Sequence, residues 1–453
     1  MSAFHAYDIR GIYNVDFDKE TAYKVGCFIP GLLHTDKVLV GMDCRLSSPE
    51  IHQSLIEGLT DAGADVYDLG LSSTPQVYFG TANYGFDASI QITASHNPGN
   101  YNGMKVSRTN ALPVGLDDGL GQIEQWIKEG KKCPKAIRKG TCTKKSVHED
   151  YVRFLLGFKE DISNLKIAMD TSNGMAGMFV KDIFGDQPSY INLEIDGSFP
   201  AHEPNPLIAA NVKQLCDHVR ATGSDIGVIY DGDADRVMFV DEKGDFISPD
   251  LIIAFLGHYF LEKKGRRGIV LQDIRSSKAV GEYLSPMGGT MSTWKVGRAF
   301  AAPRLREIDG LWGGELAGHY YFKDFFYSDS GLLASILVLD TLADFKRKGI
   351  SMSRAIANIA SYRNSGEINF RVQDKTGAMN AVRDFFTQQE EPAAFMDFDG
   401  FRVEFPQWWF NIRPSNTEPY LRFICEASSE GLLQEKIACT EKLITEKFSG
   451  QRV

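Results

Sequence analysis

The sequence predicts a mixed α/β protein with three similar α/β domains and a smaller C-terminal α+β domain around a central cleft. Three observations carry this expectation. One device, a short apolar strand followed by Asp and a polar turn, occurs three times at domain-sized spacings. Each occurrence is followed, after a helix, a strand and a further helix, by a second apolar strand that ends in a chemically loaded loop. From about Gly366 the pattern changes to short aromatic-rich strands and an amphipathic helix. At roughly 150 residues per domain, 453 residues suggest about three domains, and the repeats leave a smaller fourth.

The first device runs from Val38 to Met42 into Asp43-Cys44-Arg45-Leu46-Ser47-Ser48, where Ser48 and Pro49 read as N-cap and first turn of a helix. The second runs from Lys166 to Met169 into Asp170-Thr171-Ser172-Asn173, and the third from Ile269 to Gln272 into Asp273-Ile274-Arg275-Ser276-Ser277. The loaded loops follow Ile90-Gln91-Ile92, Val228-Ile229-Tyr230 and Leu311-Trp312. In α/β sheets ligands sit beyond the carboxyl ends of the strands, so each domain is expected to offer one loop to a shared cleft. The expected boundaries are 1–145, 146–250, 251–364 and 365–453. In the fourth unit a helix is expected around Ala378 to Gln388. Strands follow over Phe401–Phe405, Trp408–Ile412 and Tyr420–Ile424, and a covering helix over Gly431–Lys447. The change of pattern places a hinge near Arg363 to Gly366.

Composition narrows the partners. Lys+Arg 49 against Asp+Glu 59 give a net charge of −10, which disfavours a nucleic-acid or anionic-membrane binder and requires any anionic ligand to find a local basic pocket. The seven cysteines contain no C-x-x-C pair and read as reduced packing residues. The N-terminal residues lack a signal-peptide pattern, and the apolar stretch Leu332–Leu339 stops at Asp340, far short of the ~20 residues of a membrane span. A cytoplasmic location is expected.

Asp231, Asp233 and Asp235 crowd three carboxylates into five residues, which calls for a cation; oxygen ligands suit Mg²⁺ or Ca²⁺. An EF-hand is disfavoured because Arg236 stands where that loop needs Gly and the flanks read as strands; a solvated acidic turn is disfavoured because the triad ends a buried strand. Three protein oxygens with open positions suit a Mg²⁺ that also meets a phosphate oxygen. Thr93-Ala94-Ser95-His96-Asn97-Pro98 offers a hydroxyl, and without a G-x-S-x-G elbow a phosphoryl-carrying Ser95 fits better than an acyl-carrying one; His96 is expected to orient the loop. Arg413-Pro414-Ser415-Asn416-Thr417-Glu418-Pro419, with Arg422, matches a phosphate clamp, and Glu315 and His319 stand where a loop would grip sugar hydroxyls. No Walker A loop or dinucleotide fingerprint accompanies these, which argues against a kinase or dehydrogenase.

These four motifs in this order, with Phe4-His5-Ala6-Tyr7-Asp8-Ile9-Arg10-Gly11, resemble the α-D-phosphohexomutase family over essentially the whole chain. The resemblance implies Ser95 as phosphoserine and Mg²⁺ held by Ser95, Asp231, Asp233 and Asp235. It also implies interconversion of hexose 1- and 6-phosphates through an enzyme-bound 1,6-bisphosphate that reorients. Arg10, Lys105 and His319 would assist acid/base chemistry, with Arg236 neutralising charge near the phosphoserine. Glu315 and His319 would bind the sugar, Arg413, Ser415, Asn416, Thr417 and Arg422 the distal phosphate, and Tyr7 and Lys295 the substrate. The partner would be a small phosphosugar, and the enzyme a monomer or small homo-oligomer. Phe199-Pro200-Ala201-His202-Glu203-Pro204-Asn205-Pro206 is similar to the phosphomannomutase/phosphoglucomutase branch rather than the phosphoglucosamine branch, while Ala317 replaces a Ser frequent there, leaving mannose against glucose open. The rival readings are a phosphoglucosamine mutase, a metal-dependent sugar-phosphate phosphatase and a non-catalytic sugar-phosphate binder.

Overall fold

The computed structural model describes residues 3–415 and 420–453, so Asn416 and Thr417 lie outside the described residues. Three sheets repeat one plan. In the first, the parallel strand Lys37–Met42 lies between Asp65–Leu71 and Ala88–Ile92, and Tyr101–Arg108 returns antiparallel beside Ala88–Ile92. In the second, Ile167–Asp170 lies between Ser189–Ile191 and Ile226–Tyr230, with Val237–Asp241 returning antiparallel. In the third, Gly268–Asp273 lies between Gly289–Trp294 and Trp312–Gly314, with Tyr320–Phe322 returning. The central strands are buried over most of their length, as their apolar runs require when helices cover both faces. Each loaded loop is therefore the link between the last parallel strand and its antiparallel return.

One detail departs from the sequence reading. Ser48 is the first residue of the helix Ser48–Asp61 rather than its cap, and its hydroxyl donates to Asp43 Oδ1 at 2.7 Å. The cap position falls on Ser47, and the Ser48 hydroxyl, inside the first turn, is turned to the strand end and also accepts from Asn102 Nδ2 at 3.0 Å.

The segment Leu332–Leu339 lies in the helix Gly331–Arg347, which Ser330 caps by accepting from Leu333 N–H. The helix is buried on nearly every side in a core shared by the second and third sheets. No described helix is long and apolar enough to cross a membrane.

The fourth sheet is larger than the expected meander: Ile368–Arg371 pairs with Tyr420–Ala427, and Gln451–Arg452 closes the other side of Ile368–Arg371. The helices Lys375–Thr387 and Glu430–Phe448 pack against it, the first through Phe386, which meets Trp408 edge-on at 4.7 Å, and the second through Leu433, Ile437 and Ile444. Its seam with the third sheet is polar and buried. Arg402 donates to the carbonyls of Ile274 and Ser276, and Glu426 accepts from Ser277, Trp409 and Asn364.

Candidate functional site

The serine loop and the acidic loop meet at the boundary of the first two domains. Ser95, at the end of Ala88–Ile92, is buried with φ 53°, and its Oγ donates to Asp231 Oδ2 at 3.0 Å. A left-handed non-glycine residue costs roughly 1–2 kcal/mol, so the surrounding bonds must hold it there. The loops touch so closely that a Cβ on Gly232 would lie 2.6 Å from the Ser95 carbonyl oxygen. The link is also tied by Thr74 N–H to the Asp233 carbonyl.

Asp231, Asp233 and Asp235 are fully buried, with one oxygen of each lying within 4.8 Å of the others. Lys105 Nζ reaches Asp233 Oδ2 at 2.7 Å and Asp235 Oδ2 at 2.5 Å, while Arg236 Nε stands 3.7 Å from Asp231. The Oδ1 atoms of Asp233 and Asp235 are buried without a hydrogen-bond partner among the described residues. Two orphaned carboxylate oxygens beside the Ser95 hydroxyl fit a divalent cation with oxygen ligands. Burial, then the neighbouring Asp235 and Asp233, push the Asp231 carboxyl well above its usual range, which a bound cation would reverse. Burial alone would lower Lys105, but Asp233 and Asp235 outweigh it and the ammonium is raised.

The third domain supplies the loop of Glu315 and His319. The backbone of His319 bridges to that of Arg236, joining this loop to the acidic loop. Glu315 is buried and held twice, by Tyr321 OH at 2.6 Å and Gly297 N–H at 3.2 Å. His319 Nδ1 bonds Asp329 Oδ2 at 2.6 Å, and Asp329 Oδ1 accepts from Arg298 Nε at 3.0 Å. Burial opposes ionisation of Asp329, but His319 and Arg298 more than offset it and its pKa is lowered. This orientation leaves the Nε2 edge of His319 for the cleft it lines. His96 sits 3.4 Å from Ser95 Oγ; burial, and then Arg236, Arg10 and Lys105, drive its pKa well below the usual value, so the ring stays neutral.

The cleft is lined by Tyr7, Arg10, Lys105, Arg236, Glu315 and His319 from the first three domains and by Arg413, Ser415 and Arg422 from the fourth. Arg10 pairs with Asp8 and donates to Asn97 Oδ1 at 2.9 Å. Tyr7 donates to the Val296 carbonyl at 3.1 Å, over Gly297, where a Cβ would strike the Tyr7 ring. Arg413 and Arg422 face each other across the Trp408–Pro414 and Tyr420–Ala427 pair. Like charges opposite one another on a sheet repel, and a carboxylate offsets each, Asp399 at 3.7 Å from Arg413 and Glu367 at 3.2 Å from Arg422. Ala317 also lines the cleft.

Three charged residues of the lining were not singled out in the sequence. Arg275, tied to Asp273 at 2.7 Å, faces the cleft and depresses the Arg413 guanidinium, whose pKa burial already lowers. Arg298 lies 3.8 Å from the Tyr78 ring centre and braces Asp329, and Asp8 holds Arg10. The repeated Asp-x-Arg turn was a signal for Arg275. Lys295, by contrast, lies over the Phe300 ring and is not among the residues that line the cleft.

Family models described as phosphoglucomutase/phosphomannomutase alpha/beta/alpha domains I, II and III match residues 1–133, 149–244 and 248–362, and that of the C-terminal domain matches 367–438. The chain is 36% identical over 459 residues to a phosphomannomutase of Escherichia coli, covering 98% of each. It is 35% identical over 464 residues to a phosphomannomutase of Vibrio cholerae, again covering 98% of each. A crystal structure of a phosphoglucomutase/phosphomannomutase family protein from Burkholderia thailandensis superposes with a TM-score of 0.86 at 27% identity, covering 98% of both chains.

Proposed function

Since this chain belongs to the phosphoglucomutase/phosphomannomutase family, we propose that it interconverts hexose 1-phosphates and hexose 6-phosphates of mannose, glucose or both, with Ser95 as the phosphoryl carrier. The observation that carries the assignment of Ser95 is its hydroxyl, 3.0 Å from Asp231 in a carboxylate triad with two unsatisfied oxygens.

Ser95, Asp231, Asp233 and Asp235 would hold Mg²⁺, which when bound neutralises charge on the phosphoryl oxygens. The other roles follow from charge and geometry. In the phosphorylated enzyme the sugar's free hydroxyl attacks the phosphorus, the bond to Ser95 Oγ breaks, that oxygen takes a proton from Lys105, and a 1,6-bisphosphate results. His319 takes the hydroxyl proton on Nε2, because Asp329 fixes Nδ1. Lys105 and Arg10 start protonated beside carboxylates, so Lys105 holds the proton that the leaving oxygen needs and Arg10 stabilises the transferring charge; a guanidinium does not act as a base. Glu315 binds sugar hydroxyls as an acceptor. Arg413, Ser415 and Arg422, with Asn416, Thr417 and Arg275, grip the distal phosphate. Tyr7 closes the rim of the cleft.

The bisphosphate then turns end for end and returns its other phosphate to Ser95, so one clamp must serve either phosphate. The fourth domain is read as closing about the segment near Arg363–Gly366 to retain it. Small-angle scattering profiles that do not change on adding glucose 1,6-bisphosphate would count against that closure. Isomerisation of mannose 1-phosphate and glucose 1-phosphate with Mg²⁺ and trace bisphosphate tests the function itself. Steady release of inorganic phosphate with no isomer would instead indicate a phosphatase.

A further inference from the structure

Arg45 touches neither the cleft nor the acidic triad, yet every N–H of its guanidinium is engaged. It is fully buried. Nε donates to Asp43 Oδ2 at 3.0 Å, Nη1 to the carbonyls of Pro98 at 2.6 Å and Tyr101 at 3.1 Å, and Nη2 to the carbonyls of Ser95 at 2.8 Å and Asn97 at 2.6 Å. A guanidinium has five N–H groups, and these five bonds use them all. Four of the five acceptors are backbone carbonyls of the serine loop. That loop therefore winds round one side chain of the preceding repeat device.

The second domain covers this arrangement. The Phe199 ring centre lies 5.1 Å from the guanidinium, and the backbone of Gly197 bridges to that of Arg45. The same Asp-x-Arg turn recurs in the third domain, where Asp273 aims Arg275 into the open cleft. In the first domain the equivalent arginine faces protein carbonyls instead.

The consequence concerns Ser95. A trans peptide directs its C=O and N–H to opposite sides. With the Ser95 carbonyl drawn onto Arg45, the His96 N–H turns away from it, and that N–H makes no hydrogen bond among the described residues. The same contact holds Ser95 at φ 53°, the conformation that delivers Oγ to Asp231. We infer that Arg45 is a positioning residue for phosphoryl transfer: it sets the serine loop so that Oγ meets the acidic triad and the His96 amide is left free for an anion on that oxygen. This rests on Ser95 being the phosphoryl carrier.

The test is the rate at which Ser95 gains a phosphoryl group from glucose 1,6-bisphosphate with Mg²⁺, followed by intact mass. A wild-type chain that gains nothing on Ser95 would overturn the carrier reading rather than this inference. With the wild type active, Arg45→Lys is expected to slow the saturated rate about 100-fold, the scale of a misplacement near 1 Å. The bisphosphate concentration for half-maximal rate should stay within about threefold, because Arg45 does not touch the clamp. Millimolar guanidinium should restore part of the rate to Arg45→Gly, which a general loss of fold would not allow. A wild-type rate in Arg45→Lys, or a loss seen only in bisphosphate affinity, overturns the inference. Should Arg45→Lys fail to fold, Phe199→Leu replaces it: a slower saturated rate with unchanged affinity supports the assignment, and an unchanged rate contradicts it.

Discussion

His319 Nδ1 and Asp329 Oδ2 lie 2.6 Å apart, and Asp329 is in turn held by Arg298, so the imidazole enters the cleft with one nitrogen already committed. If His319 is the base, Asp329→Asn should lower kcat by about 10²–10⁴-fold, the usual contribution of a positioned base. KM should change little. Steady-state isomerisation with melting curves checks this; an unchanged kcat would remove His319 from the acid/base role.

Lys105 bridges two buried carboxylates, Asp233 and Asp235, which also belong to the proposed metal site. Lys105→Ala should destabilise the metal-free protein by about 3–5 kcal/mol, the scale for removing one partner of a buried pair. Added Mg²⁺ should then raise the melting temperature of the variant more than that of the wild type. Equal increments in the two proteins would mean that no cation enters between these carboxylates.

His202 pairs with the buried Asp170 at 3.1 Å; burial disfavours the charged ring, but Asp170 outweighs it and raises the pKa above 6.5. The folded state therefore holds the proton more tightly than the unfolded chain. The stabilisation is complete below the unfolded value of 6.5 and is lost as pH rises through the higher folded value. Urea melts across that window should show a decline in the wild type that His202→Gln lacks. Parallel curves would sever His202 from the pH dependence.

Ala317 lines the cleft beside Glu315. Ala317→Ser adds a hydroxyl, and one hydrogen bond worth about 0.5–1.5 kcal/mol would shift the ratio of kcat/KM for mannose 1-phosphate over glucose 1-phosphate by roughly 2–10-fold. A constant ratio would move the sugar discrimination to other residues.

The three-domain repeat was legible because each central strand is a continuous apolar run closed by Asp, a pattern set by burial on both faces. The acidic triad, Ser95, Arg10 and the cleft-lining Arg413 and Arg422 were legible because their chemistry is concentrated in short segments. Asp329 was not: it lies in a two-residue strand after an aromatic run, and its meaning comes only from His319 and Arg298 approaching in space. Arg45 and Arg275 were visible as a repeated Asp-x-Arg turn, but nothing local distinguishes an arginine that faces carbonyls from one that faces the cleft. Ser48 reads as a cap from its place before Pro49, but the helix already begins at Ser48, the cap position falls on Ser47, and the Ser48 hydroxyl donates to Asp43 at the strand end.

The carrier role of Ser95 is the claim on which the rest depends. The direct measurement is the intact mass of the wild type and Ser95→Ala after incubation with glucose 1,6-bisphosphate and Mg²⁺, read alongside isomerisation of mannose 1-phosphate and glucose 1-phosphate. The account predicts one added phosphoryl group and isomerase activity in the wild type, and neither in Ser95→Ala. A phosphoryl group elsewhere on the chain, or isomerisation that survives Ser95→Ala, would contradict it.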